Sequence, residues 1–161
     1  MMVDISKRKV VVVGGGRIAT RKLQELIRCG AQPTVVAPAV SPEILEWAES
    51  SKVLLDRRAY KSGDLDDATF IFICTDDPAT NKAVRSEIGP NQFLNDTTDR
   101  NNSDFINLAT LRQHDYLVAV STYGNDPRKA KQILHEIAEI INPTQASCLS
   151  FFFCGGVAER G

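Results

Sequence analysis

A chain of 161 residues, 43% of them hydrophobic, can fill the core of one ordinary domain and leaves little room for a second. Its charge is nearly balanced, 19 Lys and Arg against 20 Asp and Glu, which argues against nucleic acid or an anionic membrane surface as partner. Cys29, Cys74, Cys148 and Cys154 form no C-x-x-C spacing and stand apart in sequence from His114 and His135, so free thiols and no bound metal are expected. The first residues lack the roughly 7–15 apolar positions of a signal-peptide core, and no run approaches the ~20 needed to span a bilayer. A cytoplasmic location is expected.

Taken in chain order, Lys9 to Val13 is a short β-branched run of the kind buried on both faces of a parallel sheet. Three glycines follow, and then a helix over Ile18 to Arg28. Its apolar positions Ile18, Ala19, Leu23, Leu26 and Ile27 recur at helical spacing, and Gly30 is placed to stop it. Pro33 to Ala37 is the second strand and completes a right-handed βαβ unit. Ser41-Pro42-Glu43 opens a second helix. Val53 to Leu55 and Ala68 to Cys74 are further strands, and Asp77-Pro78 starts a helix that runs to Ile88. Phe93 to Asn95 is a short strand, followed by a polar stretch from Asp96 to Asp104. Tyr116 to Ser121 reads as one more strand, and Asp126-Pro127 begins a helix to about Ile141. This alternation predicts an α/β fold, a Rossmann-type open, mostly parallel sheet with helices on both faces. We expect one dinucleotide-binding domain over residues 1–142 and then an apolar tail, 143–161, to which the pattern assigns no role.

The strongest chemical signal is Gly14-Gly15-Gly16-Arg17-Ile18-Ala19. It matches G-x-G-x-x-A directly after a strand and directly before a helix. Gly14 permits the tight turn, Gly16 clears space for a pyrophosphate, and Ala19 lets the helix lie close to the strand. The helix N-terminus then offers unpaired N–H groups to the phosphates. The second strand ends Val36-Ala37-Pro38-Ala39 without the acid that usually holds the adenosine ribose, so backbone groups must take that role. No arginine replaces the acid, which leaves NAD preferred over NADP.

Thr75 and Asp76 follow a buried strand at the edge that faces ligand in open α/β sheets. They are placed to contact ribose or substrate; the plainer alternative is that Asp76 and Asp77 cap the next helix. Asn95-Asp96-Thr97-Thr98-Asp99 stands in the same position after a later strand. A carboxylate there can move a proton, although an ordinary polar turn explains the same residues.

Together these pieces resemble the precorrin-2 dehydrogenases and the N-terminal module of siroheme synthases. The resemblance is carried by V-V-G-G-G-x-I-A-x-R-K from Val12, G-A-x-x-T-V-V-A-P from Gly30, C-T-D-D-P-x-x-N from Cys74, the Asn95 turn with Phe105-Ile106, and V-A-V-S-T-x-G-x-x-P from Val118. It implies NAD-dependent oxidation of precorrin-2 to sirohydrochlorin. In some relatives it also implies insertion of ferrous iron. It places the nucleotide over Gly14, Gly16, Arg17, Ile18, Pro38 and Ala39, with Thr75, Asp76 and Asn95 in the same cleft. The family's turn reads N-x-x-D with its Asp as acid/base residue. Here Thr98 holds that position, and Asp99, one residue later, is the expected catalytic carboxylate. The resemblance further implies a homodimer, consistent with the apolar Leu149 to Cys154, and a helical C-terminal region that is largely absent here. The alternative is a non-catalytic NAD(H)-binding regulatory module, which the Thr98 departure favours. A dehydrogenase of another substrate would leave V-A-V-S-T unexplained.

Overall fold

The computed structural model describes residues 3–123 and 125–141. The expected tail lies outside the described residues. Among the described residues, seven strands and four helices run in the order β1 (Val10–Val13), α1 (Arg17–Arg28), β2 (Thr34–Val36), α2 (Pro42–Glu49), β3 (Leu54–Asp56), β4 (Phe70–Ile73), α3 (Pro78–Glu87), β5 (Phe93–Asp96), β6 (Ala109–Arg112), β7 (Leu117–Val120) and α4 (Pro127–Ile141). A 3₁₀ turn, Arg100–Asn102, interrupts the polar stretch after β5.

The first unit ends at Phe105. Its sheet is ordered β3-β2-β1-β4-β5, with every pairing parallel. The β-branched and aromatic central strands β1, β2 and β4 account for this arrangement, because they are buried almost throughout, while the edge strand β3 stays largely exposed. Side chains alternate: Val11, Val13, Ile71, Ile73 and Leu94 form one core cluster with Val84 of α3. Val12 and Phe72, which are register partners, face the other way, where the α1 residue Lys22 holds its ammonium 5.8 Å from the Phe72 ring centroid. Chain order reverses between β1 and β4, and in such sheets ligands bind outside the carboxyl ends at that point.

The second unit begins at Ile106. Here the structure departs from the expectation of one continuous sheet. Leu117–Val120 does not join the parallel sheet. It pairs antiparallel with β6, a strand that the pattern did not signal, and α4 covers the pair. The cause is a separate core: Leu111, Leu134 and Ala138, with Ala109, Val118 and Val120 packed against them. Among the described residues, no helix is long and apolar enough to cross a membrane.

Leu134 has no exposed surface. Leu134→Ala should cost about 2–5 kcal/mol. The loss is expected as faster amide exchange in β6, β7 and α4, with protection in Val10–Val13 retained.

Candidate functional site

The carboxyl ends of four adjacent strands frame a cleft of about 500 Å³. After β1 come Gly14 to Ile18, and after β2 come Ala37, Pro38 and Ala39. Cys74, Thr75 and Asp76 follow β4, and Thr97 and Thr98 follow β5.

The three glycines stand in different surroundings. Gly14 has φ +120°, and a Cβ there would stand 2.3 Å from the Cys74 carbonyl oxygen. A Cβ on Gly15 would meet the Ala39 carbonyl oxygen at 2.3 Å. The loop after β2 lies directly on this turn: Ser41 N–H donates to the Gly15 carbonyl at 2.9 Å, and the Ser41 and Thr20 hydroxyls are 2.8 Å apart. Gly16 differs from both, because a Cβ there would meet nothing within 4 Å. No packing contact therefore demands a glycine at 16, and the space above it is open to a group seated in the cleft.

Gly16 is the N-cap of α1 but has no side chain with which to cap it, and no acidic residue occupies the first turn. The N–H groups that begin a 12-residue helix are thus offered to the cleft together with the positive end of its dipole. That donor set suits a pyrophosphate.

The β4–β5 side has its own chemistry. Asp77 caps α3, accepting from Ala79 N at 3.3 Å and Thr80 N at 2.9 Å, and these bonds with the Thr80 hydroxyl hold its carboxyl below the ordinary range. Asp76 lines the cleft and is exposed. The residue that caps α3 and the residue that lines the cleft are therefore different. The Thr75 carbonyl is held by Asn81 Nδ2 at 3.1 Å. Burial pushes the Cys74 thiol up to about 12, so it is no thiolate at neutral pH despite its place in the cleft. Asp96 is buried under the turn. Its Oδ1 accepts from Thr98 N at 2.8 Å and Thr98 Oγ1 at 2.7 Å, and Oδ2 accepts from Arg85 Nε at 2.6 Å. Burial favours the protonated form, but these bonds outweigh it and hold the carboxyl below the ordinary range.

Residues 1–109 match the family model for NAD(P)-binding domains. The chain is 32% identical over 140 residues to precorrin-2 dehydrogenase of Bacillus subtilis (strain 168), covering 87% of this chain and 86% of the relative. It is also 32% identical to precorrin-2 dehydrogenase of Priestia megaterium, covering 95% of this chain and 76% of that one. The solved structure of SirC, precorrin-2 dehydrogenase, superposes with a TM-score of 0.79 at 34% identity, over 87% of this chain and 69% of that one.

The chain belongs to the precorrin-2 dehydrogenase family.

A siroheme synthase of Sodalis glossinidius (strain morsitans), 34% identical, is matched over 31% of its length. The cofactor is NAD, and the open cradle at Gly16 fits it.

The structure gathers Gly14, Gly16, Arg17, Ile18, Pro38, Ala39, Thr75 and Asp76 in one cleft. Two expected residues stand elsewhere. Asn95 is buried and donates from Nδ2 to the Phe105 carbonyl at 2.8 Å, so its contact is with the chain leaving β5. Asp99 is exposed and is not among the lining residues. It caps the 3₁₀ turn, accepting from Asn101 N at 3.0 Å and Asn102 Nδ2 at 3.0 Å. Sequence reasoning did not single out Gly15, Ala37, Cys74 or Thr97 as lining residues. Gly15 alone had a signal, since a third consecutive glycine exceeds what the fingerprint requires.

The glycines can be separated experimentally. Gly14→Ala should cost about 2 kcal/mol or more from its backbone conformation and overpacking. Gly16→Ala should cost less than about 1 kcal/mol yet weaken NAD binding about tenfold or more, read by urea unfolding and calorimetric titration. Asp96→Asn should lower stability by about 1–3 kcal/mol at pH 7. Because the folded carboxyl titrates below its usual 3.8, this contribution is present above that value and is lost as pH falls through the folded value. The gap between wild type and variant should therefore close in unfolding curves taken at the most acidic pH.

Proposed function

We propose that this chain oxidises precorrin-2 to sirohydrochlorin, with NAD as hydride acceptor, on the route to siroheme. The observation that carries the reading is the space over Gly16, which no protein atom fills, in a chain similar to precorrin-2 dehydrogenases over most of both lengths.

Bound in the cleft, NAD supplies the two-electron acceptor for a hydride from the substrate carbon. The N–H groups that open α1 hold the pyrophosphate, and the backbone at Pro38 and Ala39 takes the adenosine side, which belongs to β2 in this fold. The β4–β5 side is left for the nicotinamide and the macrocycle, so Thr75, Asp76 and Thr98 face the reacting groups.

Loss of a hydride must be matched by loss of a proton to a base. Cys74 stays protonated, with its thiol pushed up to about 12. Asp96 is saturated by donors, and Thr98 gives its own hydroxyl proton to Asp96. Asp99, one residue beyond the lining Thr98, is the proposed acid/base residue. Its present partners are exposed groups of its own turn and can be exchanged for substrate. One observation favours a second candidate: Asp76 lines the cleft directly, and Asp99 does not.

The family reading also carries a homodimer and a cytoplasmic location. The exposed Leu54 on β3 and Phe93 on β5, at the two edges of the parallel sheet, suit association. Light scattering tests it, and a monomer at micromolar concentration contradicts the dimer.

The deciding assay supplies precorrin-2 and NAD and follows NADH together with sirohydrochlorin absorbance. Asp99→Ala should lower kcat by about 100-fold or more if Asp99 moves the proton. A loss confined to Asp76→Ala would transfer that role to Asp76. Absence of NADH from wild type that still binds NAD would contradict the enzyme and leave the regulatory module.

A further inference from the structure

Across the carboxyl edge of the sheet, one row of register partners reads Val36, Val13, Ile73 and then Asp96. Three are buried and apolar, and the fourth is a carboxylate whose side chain has 0% exposure. Its two oxygens are divided between two tasks. Oδ2 receives Arg85 from the last turn of α3, through Nε at 2.6 Å and Nη2 at 2.5 Å. Oδ1 receives the turn itself, through Thr98 N at 2.8 Å, Thr98 Oγ1 at 2.7 Å and Asp99 N at 3.2 Å. Arg85 Nη2 also reaches past the carboxylate to Thr98 Oγ1 at 3.1 Å.

A buried ion pair is weak evidence for stability, because apolar residues of similar volume serve as well or better. The other three positions of the row are filled by apolar side chains. What an apolar residue cannot do is hold two N–H groups and a hydroxyl of the following turn. The pair therefore sets the shape of the Thr97–Asp99 segment, and Thr97 and Thr98 are cleft wall.

We propose that Arg85 is a positioning residue for the dehydrogenation: through Asp96 it fixes the Thr97–Asp99 turn as the tetrapyrrole-facing wall of the cleft, independently of the glycine turn that binds NAD. This rests on the function proposed above, which assigns the β4–β5 side to the macrocycle. Arg85 touches neither substrate nor cofactor in this role. Its influence passes through the Asp96 carboxylate and the Thr98 hydroxyl.

The test replaces the pair as a unit, Arg85→Leu with Asp96→Val, so that no buried charge is left unpaired. The double variant should unfold at a denaturant midpoint close to wild type and bind NAD within about twofold of it. Its affinity for sirohydrochlorin, titrated by absorbance, should fall about tenfold, and kcat/KM for precorrin-2 about 10- to 100-fold, the range expected when a wall of a reactive site is misplaced. Arg85→Lys keeps the charge but not the planar fork. It should recover part of the sirohydrochlorin affinity, and it provides the same readout should the double variant not fold. Unchanged sirohydrochlorin affinity and kcat/KM in these variants would overturn the proposal. So would an equal fall in NAD and tetrapyrrole affinity, which marks a merely structural pair. Wild type that fails to bind sirohydrochlorin or turn over precorrin-2 would instead sink the proposed function.

Discussion

The ends of β1 and β4 approach so closely that a Cβ on Gly14 would stand 2.3 Å from the Cys74 carbonyl oxygen. Backbone meets backbone there, and the rest of the site follows from that contact. It turns the chain into α1 at once, so the helix begins at the sheet edge with its N–H groups facing outward. It also brings Cys74 to Asp76 alongside the glycine turn, and the parallel register then places Thr97 and Thr98 beyond them. A larger residue at 14 would push β4 away and open the cleft along its length.

Two ends of one cleft are built in different ways. At the glycine turn the donors are main-chain N–H groups, and recognition depends on what side chains leave out. On the β4–β5 side the wall is held by side chains: Asn81 on the Thr75 carbonyl, Arg85 on Asp96, and Thr98 on Asp96. The first arrangement suits a ligand shared by many enzymes, and the second can change with the substrate. A neutral Cys74 thiol lies between them.

Much of this was legible in the sequence because the signals were local. A β-branched run, a glycine turn and an amphipathic helix each declare themselves within a few residues, and they recur in alternation through β5. Capping was legible in kind but not in assignment: of Asp76 and Asp77, adjacent and chemically identical, only Asp77 reaches the α3 amides. The need for glycine at 15 depends on a loop residue, Ala39, far along the chain, and no spacing rule reports such a contact. Asp96 read as one polar residue in a polar turn, since its partner Arg85 lies on a helix that precedes the strand. The second sheet was missed for a related reason. Ala109–Arg112 is short and only partly apolar, and its partner strand resembled a continuation of the parallel sheet until the antiparallel register separated them.

The central claim is that NAD lies along this cleft with its pyrophosphate on the N-terminus of α1. Backbone amide shifts recorded by NMR during titration with NAD test this most directly. The account predicts the largest shifts at Gly16, Arg17 and Ile18, with smaller ones at Ala39, Thr75 and Asp76. Shifts that bypass the glycine turn, or appear only in the second unit, would contradict it.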